Sequence, residues 1–179
     1  MFKVEIKKEI IEHCQNMLRA TNFGKRGIAD GNQSEQLRGI VGQCVIMDML
    51  GIGLIKQSSQ PDNGVDFTYR DKTYDVKTMG RSCDPSKEYV NNLIGHQKDY
   101  KVDRYIFTSL NKKNMTITIC GWINKDEFYK KASFYPKGTE RNRDDFTRFP
   151  TKADLYEIPN NMLNDVIDLE DLVFELKLN

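Results

Sequence analysis

A chain of 179 residues is long enough to bury one hydrophobic core and is read as a single domain spanning 1–179. With 39% apolar and 30% charged residues, its composition excludes a chain that stays disordered. A formal net charge of +1 excludes a global basic field, so any surface for a polyanion must be local. The basic clusters are Lys7-Lys8, Lys112-Lys113, Lys130-Lys131 and the group Arg141, Arg143 and Arg148. No stretch approaches the roughly 18 apolar residues of a membrane span, and the charged amino terminus does not read as an export signal. Cys14, Cys44, Cys83 and Cys120 lack paired metal-site spacing and read as free thiols, which together with the rest suits a cytoplasmic protein.

In chain order, the N-terminal segment 3–20 reads as an amphipathic helix, because Ile6, Ile10, Cys14, Met17 and Leu18 recur at helical spacing. The glycine-rich polar stretch 22–33 marks a loop. A second helix follows, with Asn32 and Glu35 at capping-box spacing and Leu37, Val41, Cys44, Val45 and Met47 along one stripe. Asp48 falls inside that stripe without an evident reason. After the polar turn QSSQPDNG come two extended runs, VDFTY (65–69) and KTYDVKT (72–78), separated by Arg70 and Asp71. That is two-residue hairpin spacing, although neither residue favours the turn it requires. Residues 86–99 read as a third helix, with Val90, Leu93, Ile94 and Gln97 on one side. RYIFTSL (104–110) and MTITICGWI (115–123) read as buried strands, followed by a short helix (124–131) and small peripheral elements to the C-terminus. This order predicts an α/β protein with a central mixed sheet flanked by helices.

The chemistry lies in the two extended runs. Alternation places Asp75 and Lys77 on one face of their strand, with Val76 on the other. Pairing about residues 70 and 71 brings Asp66 nearly opposite Asp75. Two carboxylates so placed repel unless a cation sits between them, and hard oxygen donors suit Mg²⁺, which keeps several waters and accepts phosphate oxygens. Lys77 then stands where it can hold an attacking water or neutralise charge building on a phosphate. The plain alternative for a D-x-K pair in a strand is a salt bridge of no further consequence.

NGVDF around Asp66, YDVKT around Asp75 and Lys77, and the upstream helix RGIVGQCVIMDMLG resemble the PD-(D/E)xK nuclease superfamily, which includes many restriction endonucleases, lambda-type exonucleases and Holliday-junction resolvases. The resemblance spans roughly residues 34–123 and implies a restriction-endonuclease-like αβββαβ core, with the N-terminal helix 3–20 and residues 124–179 peripheral. It implies hydrolysis of DNA phosphodiester bonds with Mg²⁺, for which Mn²⁺ substitutes, Asp66 and Asp75 holding the metal and Lys77 assisting the water or the transition state. Gln43 stands where most relatives with such a helix carry glutamate, which leaves Glu35 as the alternative third metal ligand. Gln97 and Arg81 are the implied contacts to backbone phosphates. Pro61-Asp62 matches the literal motif, but its spacing to Asp75 is longer and it sits in a turn.

Each of these residues also has a plainer reading: Glu35 as a helix cap, Gln43 as a buried amide, Arg81 and Gln97 as ordinary surface polar groups. His13 and His96 are isolated from other ligand-type residues, and Trp122 reads as core. The Gln43 departure and the near-neutral charge suit equally a nuclease-fold protein that binds nucleic acid or a protein partner without cutting. Substrate choice and a possible homodimer would be decided in residues 1–30 and 124–179, where no motif decodes.

Overall fold

Phe2 and Val4 alternate with Lys3 and Glu5, and in the computed structural model, which describes residues 1–20, 32–56, 64–142 and 148–178, they form strand β1 (Phe2–Glu5) with the apolar residues turned inward. The expected N-terminal helix therefore starts later, as α1 (Lys8–Ala20), whose buried face is Ile10, Cys14 and Met17. A four-residue period-two pattern precedes the 3.6-residue pattern, and the longer one masked the shorter. The glycine-rich loop up to residue 31, Pro61-Asp62 and Arg143 lie outside the described residues.

Helix α2 (Gln33–Met49) begins with the expected capping box: Glu35 N donates to Asn32 Oδ1 (2.9 Å) and Asn32 N donates to Glu35 Oε2 (2.8 Å). Its buried side is Ile40, Val41, Gly42, Cys44, Val45 and Ile46. Asp48 is explained by Lys7, whose ammonium lies 2.7 Å from its carboxylate and ties the end of α2 to the β1–α1 turn.

Strands β2 (Phe67–Tyr69) and β3 (Lys72–Arg81) form the hairpin. Arg70 and Asp71 both have positive φ, 47° and 64°, as a two-residue type I′ turn demands of whichever residues occupy it. Strands β5 (Arg104–Asn111) and β6 (Thr116–Asn124) complete a five-stranded sheet in the order β1-β6-β5-β3-β2, reached after strand β4 (Val90–Ile94). Its β3–β5 pairing is parallel and its other pairings are antiparallel, so the sheet is mixed.

The crossover from β3 to β5 corrects the expected helix at 86–99. It holds β4 and a 3-10 turn (Gly95–Asp99), and the second helix expected of an αβββαβ order is absent from that position. In V-N-N-L-I the buried positions are Asn91 and Leu93, a period of two. Adjacent asparagines are weak helix formers, and Asn91 instead donates to Asn160 Oδ1 (2.7 Å) in the interior. Strand β4 pairs with β10 (Leu155–Pro159), and β10 with β7 (Ser133–Tyr135), forming a second, three-stranded sheet. Helix α3 (Lys125–Lys131), a ribbon of β8 (Glu140–Asn142) and β9 (Arg148–Pro150), and helix α4 (Leu169–Leu178) complete the described elements.

Two apolar layers sandwich the five-stranded sheet. On one face Tyr74, Val76, Ile106, Leu110, Ile117, Ile119 and Trp122 pack with residues of α1, α2 and α4, Cys14 and Cys44 among them. On the other, Tyr105, Phe107, Cys120 and Ile123 pack against Leu93, Phe128 and Ile158 of β4, α3 and β10. The protein is thus α/β, a mixed sheet flanked by helices, with a small second sheet over one face. No helix among the described residues is long and apolar enough to cross a membrane.

Candidate active site

Tyr74, Val76 and Thr78 of β3 face α2, so alternation turns Asp75 and Lys77 to the opposite face, toward the second sheet. Lys77 Nζ lies 2.8 Å from Asp75 Oδ2. The pair is largely enclosed: Asp75 is 2% exposed, and the Lys77 side chain is 17% exposed. Across the parallel register Asp75 lies beside Tyr105 and Lys77 beside Phe107.

Asp66 immediately precedes β2, where the regular register of the hairpin ends, since Asp66 bonds to Tyr74, the residue that the register pairs with Phe67. Three hydrogen bonds fix it. Its N–H donates to the Tyr74 carbonyl (2.8 Å), its Oδ2 accepts from the Val76 N–H (2.7 Å), and its carbonyl accepts from Gln43 Nε2 (2.9 Å). The Asp66 carboxylate therefore lies at the Val76 main chain, next in sequence to Asp75, and Gln43 reaches this corner by holding the Asp66 main chain. Gly42, beside Gln43, brings α2 close: a Cβ there would sit 1.8 Å from Thr78 Oγ1.

Glu35 does not join them. It is eight residues, about 12 Å along the helix axis, before Gln43, and its carboxylate caps the α2 N-terminus. Gln97 is buried in the 3-10 turn, where its Oε1 accepts from the Ile94 N–H (3.1 Å). Arg81 donates to the Val90 carbonyl (2.7 Å) and lies 4.6 Å over the Tyr89 ring, joining the end of β3 to the start of β4. Gln97 is engaged inside the protein, whereas the Arg81 contact lies near the surface. Several basic clusters are likewise compensated: Lys7 by Asp48, Lys8 by Glu12, Lys131 by Glu127 and Arg141 by Glu157.

Two features escaped the sequence reading. Tyr105 and Tyr129 line the Asp75 side of the sheet with their hydroxyls 3.4 Å apart, and burial, aided by the Asp75 charge, raises both phenols above their ordinary values. Arg104 is almost wholly buried on the other face, donating to Tyr74 Oη (3.1 Å) and Asn124 Oδ1 (3.2 Å) and lying 5.0 Å over the Trp122 ring. Alternation in RYIFT, combined with the β3–β5 pairing, places both residues. Without the sheet order neither can be assigned a face.

Among the described residues, no group of three or more His, Cys, Asp and Glu side chains gathers into a ready metal site. The candidate donors are two hard carboxylates, Asp66, held at the Val76 N–H, and Asp75, bridged to Lys77. They fit a divalent cation of the Mg²⁺ kind, which takes one or two carboxylates and keeps water in its remaining positions. No family model, no curated protein and no solved structure matches the chain.

Proposed function

We propose that the chain is a divalent-metal-dependent nuclease of the PD-(D/E)xK type that hydrolyses DNA phosphodiester bonds, its hairpin and flanking strands serving as a restriction-endonuclease-like core. The observation that carries the reading is the joining of Asp75 and Lys77 on one face of β3, 2.8 Å apart, with the Asp66 carboxylate held at the N–H of Val76. Asp66 and Asp75 would hold Mg²⁺ or Mn²⁺, which supplies polarisation of the scissile phosphate and a more acidic water.

The chain's own groups have separable tasks. Asp75 fixes the Lys77 ammonium by a charge-assisted contact in a largely enclosed setting, where it acts more strongly than on an open surface. Lys77 stabilises the negative charge that develops on the phosphate oxygens and holds the attacking water by hydrogen bonding. Gln43 keeps the Asp66 backbone, and hence its carboxylate, at the edge of β3.

Supercoiled plasmid incubated with the pure protein and Mg²⁺ or Mn²⁺ tests the reading. Wild type nicks or linearises the DNA, and Asp75→Asn and Lys77→Ala each lower the rate by about 100-fold or more. A folded wild type that leaves plasmid, linear, single-stranded and junction DNA intact with both metals overturns it.

A second reading, a nuclease-fold protein that binds nucleic acid or a protein partner without cutting, draws on the enclosure of Asp75 and the internal engagement of Gln97. It predicts a mobility shift with no nicking in the same incubation.

A further inference from the structure

A row of aromatic rings runs from Asp75 to the surface. The Tyr105 hydroxyl meets that of Tyr129, and the Tyr129 ring meets Tyr156 edge-on with centroids 4.8 Å apart. Tyr156 in turn meets Phe134, its cross-strand partner on β7, at 4.8 Å. Phe134 is 48% exposed, so the row ends in a large apolar ring open to water. Over it stands one exposed cation: the Lys98 ammonium lies 5.6 Å from the Tyr129 ring centre and 5.9 Å from that of Tyr156.

We infer that Phe134, Tyr156, Tyr129 and Lys98 form a path for an unpaired DNA strand leading to Asp75 and Lys77, so that the substrate is single-stranded or locally unpaired DNA; this rests on the nuclease reading. Three observations select that occupant. An exposed aromatic ring stacks on a base only if the base is unpaired, and any base serves, because each presents a π face. Lys98 offers a phosphate one positive charge beside the rings, although Asp99 lies near Tyr129 as well. Duplex recognition independent of sequence needs many uncompensated cations, and this chain has a net charge of +1 with Lys7, Lys8, Lys131 and Arg141 already paired. The inner end of the row is the buried Tyr105, which stands beside Asp75 in the β3–β5 register, so a strand on the outer rings would hold a phosphate on the side of the candidate centre.

The test uses the whole protein in EDTA, where nothing is cut. Fluorescence anisotropy follows its binding to labelled oligothymidylate and to a duplex of equal length. Wild type binds the oligothymidylate more tightly than the duplex, Phe134→Ala weakens that binding about tenfold, and Phe134→Trp restores it. Lys98→Ala weakens it and lowers the slope of log affinity against log salt by about 0.7, the loss of one phosphate contact. Circular dichroism confirms that each variant folds. Equal or tighter binding of duplex, no binding of oligothymidylate by wild type, or wild-type affinity in both alanine variants overturns the inference. Binding through Phe134 without cleavage of plasmid, linear, single-stranded or junction DNA in Mg²⁺ or Mn²⁺ supports the strand path and sinks the nuclease reading. Cleavage together with unaltered binding by Phe134→Ala does the reverse.

Discussion

Replacing Gly42 by alanine adds one methyl group at the tightest helix–sheet contact of the candidate site. The new Cβ would meet Thr78 Oγ1 at 1.8 Å and both Thr78 Cβ and Thr108 Oγ1 at 3.0 Å. Thr78 cannot simply turn aside: it is β-branched, buried, and accepts a hydrogen bond from Thr108 (3.0 Å). Either that bond breaks, at about 1 kcal/mol, or α2 lifts from β3. The gain in helix propensity of about 1 kcal/mol offsets the bond. What remains is the overpacking itself, which at so short an approach belongs at the upper end of the usual range, about 3 kcal/mol. For a chain of this length that lowers the melting temperature by about 6–12 °C. Gly39, one turn earlier with nothing within 4 Å of its Cβ position, is the control, and Gly39→Ala stabilises by up to about 1 kcal/mol. Urea unfolding of the two variants measures the contrast. A Gly42→Ala protein as stable as wild type would show that α2 and β3 do not approach as closely as described.

Lys77→Met leaves the Asp75 carboxylate enclosed without its cation and destabilises by about 3–5 kcal/mol, whereas Lys77→Met with Asp75→Asn recovers most of that loss. Chemical denaturation of the two single variants and the double variant checks this, and equal losses in Lys77→Met and the double variant refute it. Asp103 accepts from the Thr73 N–H (2.8 Å) and Oγ1 (2.9 Å), and the backbone bond foremost holds its carboxyl below the ordinary value of 3.8. A depressed carboxyl contributes stability that is present above its unfolded pKa and lost as pH falls through its folded one. Asp103→Asn is therefore less stable than wild type above about pH 5, and the difference shrinks below about pH 4. Urea titrations from pH 7 to pH 2.5 follow it, and a difference that stays constant to the lowest pH contradicts the assignment.

Local patterns were the legible part. Alternation in KTYDVKT placed Asp75 and Lys77 on one face, the Asn32–Glu35 spacing gave the start of α2, and the two-residue gap at Arg70-Asp71 gave the hairpin although the residues themselves argued against it. The illegible part depended on partners distant in sequence. Val90, Leu93, Ile94 and Gln97 fit a helical face as well as V-N-N-L-I fits a strand, and only β10 decides between them. Arg81 and Gln97 looked available for phosphate because their internal partners, the Val90 carbonyl and the Ile94 N–H, belong to that same crossover. Phe134 lay in a stretch of low apolarity, and nothing local marks it as the end of an aromatic row.

The parallel neighbours β3 and β5 are linked through a strand whose hydrogen-bonding partner, β10, is the last of the described strands to be synthesised. While the chain leaves the ribosome, the crossover has no helix of its own to form, and β4 waits with its edge groups unmet until residues 155–159 emerge. Such long-range pairing slows folding and lengthens exposure of apolar strand, so this protein should depend on late closure, and truncation before residue 155 would leave an aggregating chain and not a smaller stable domain.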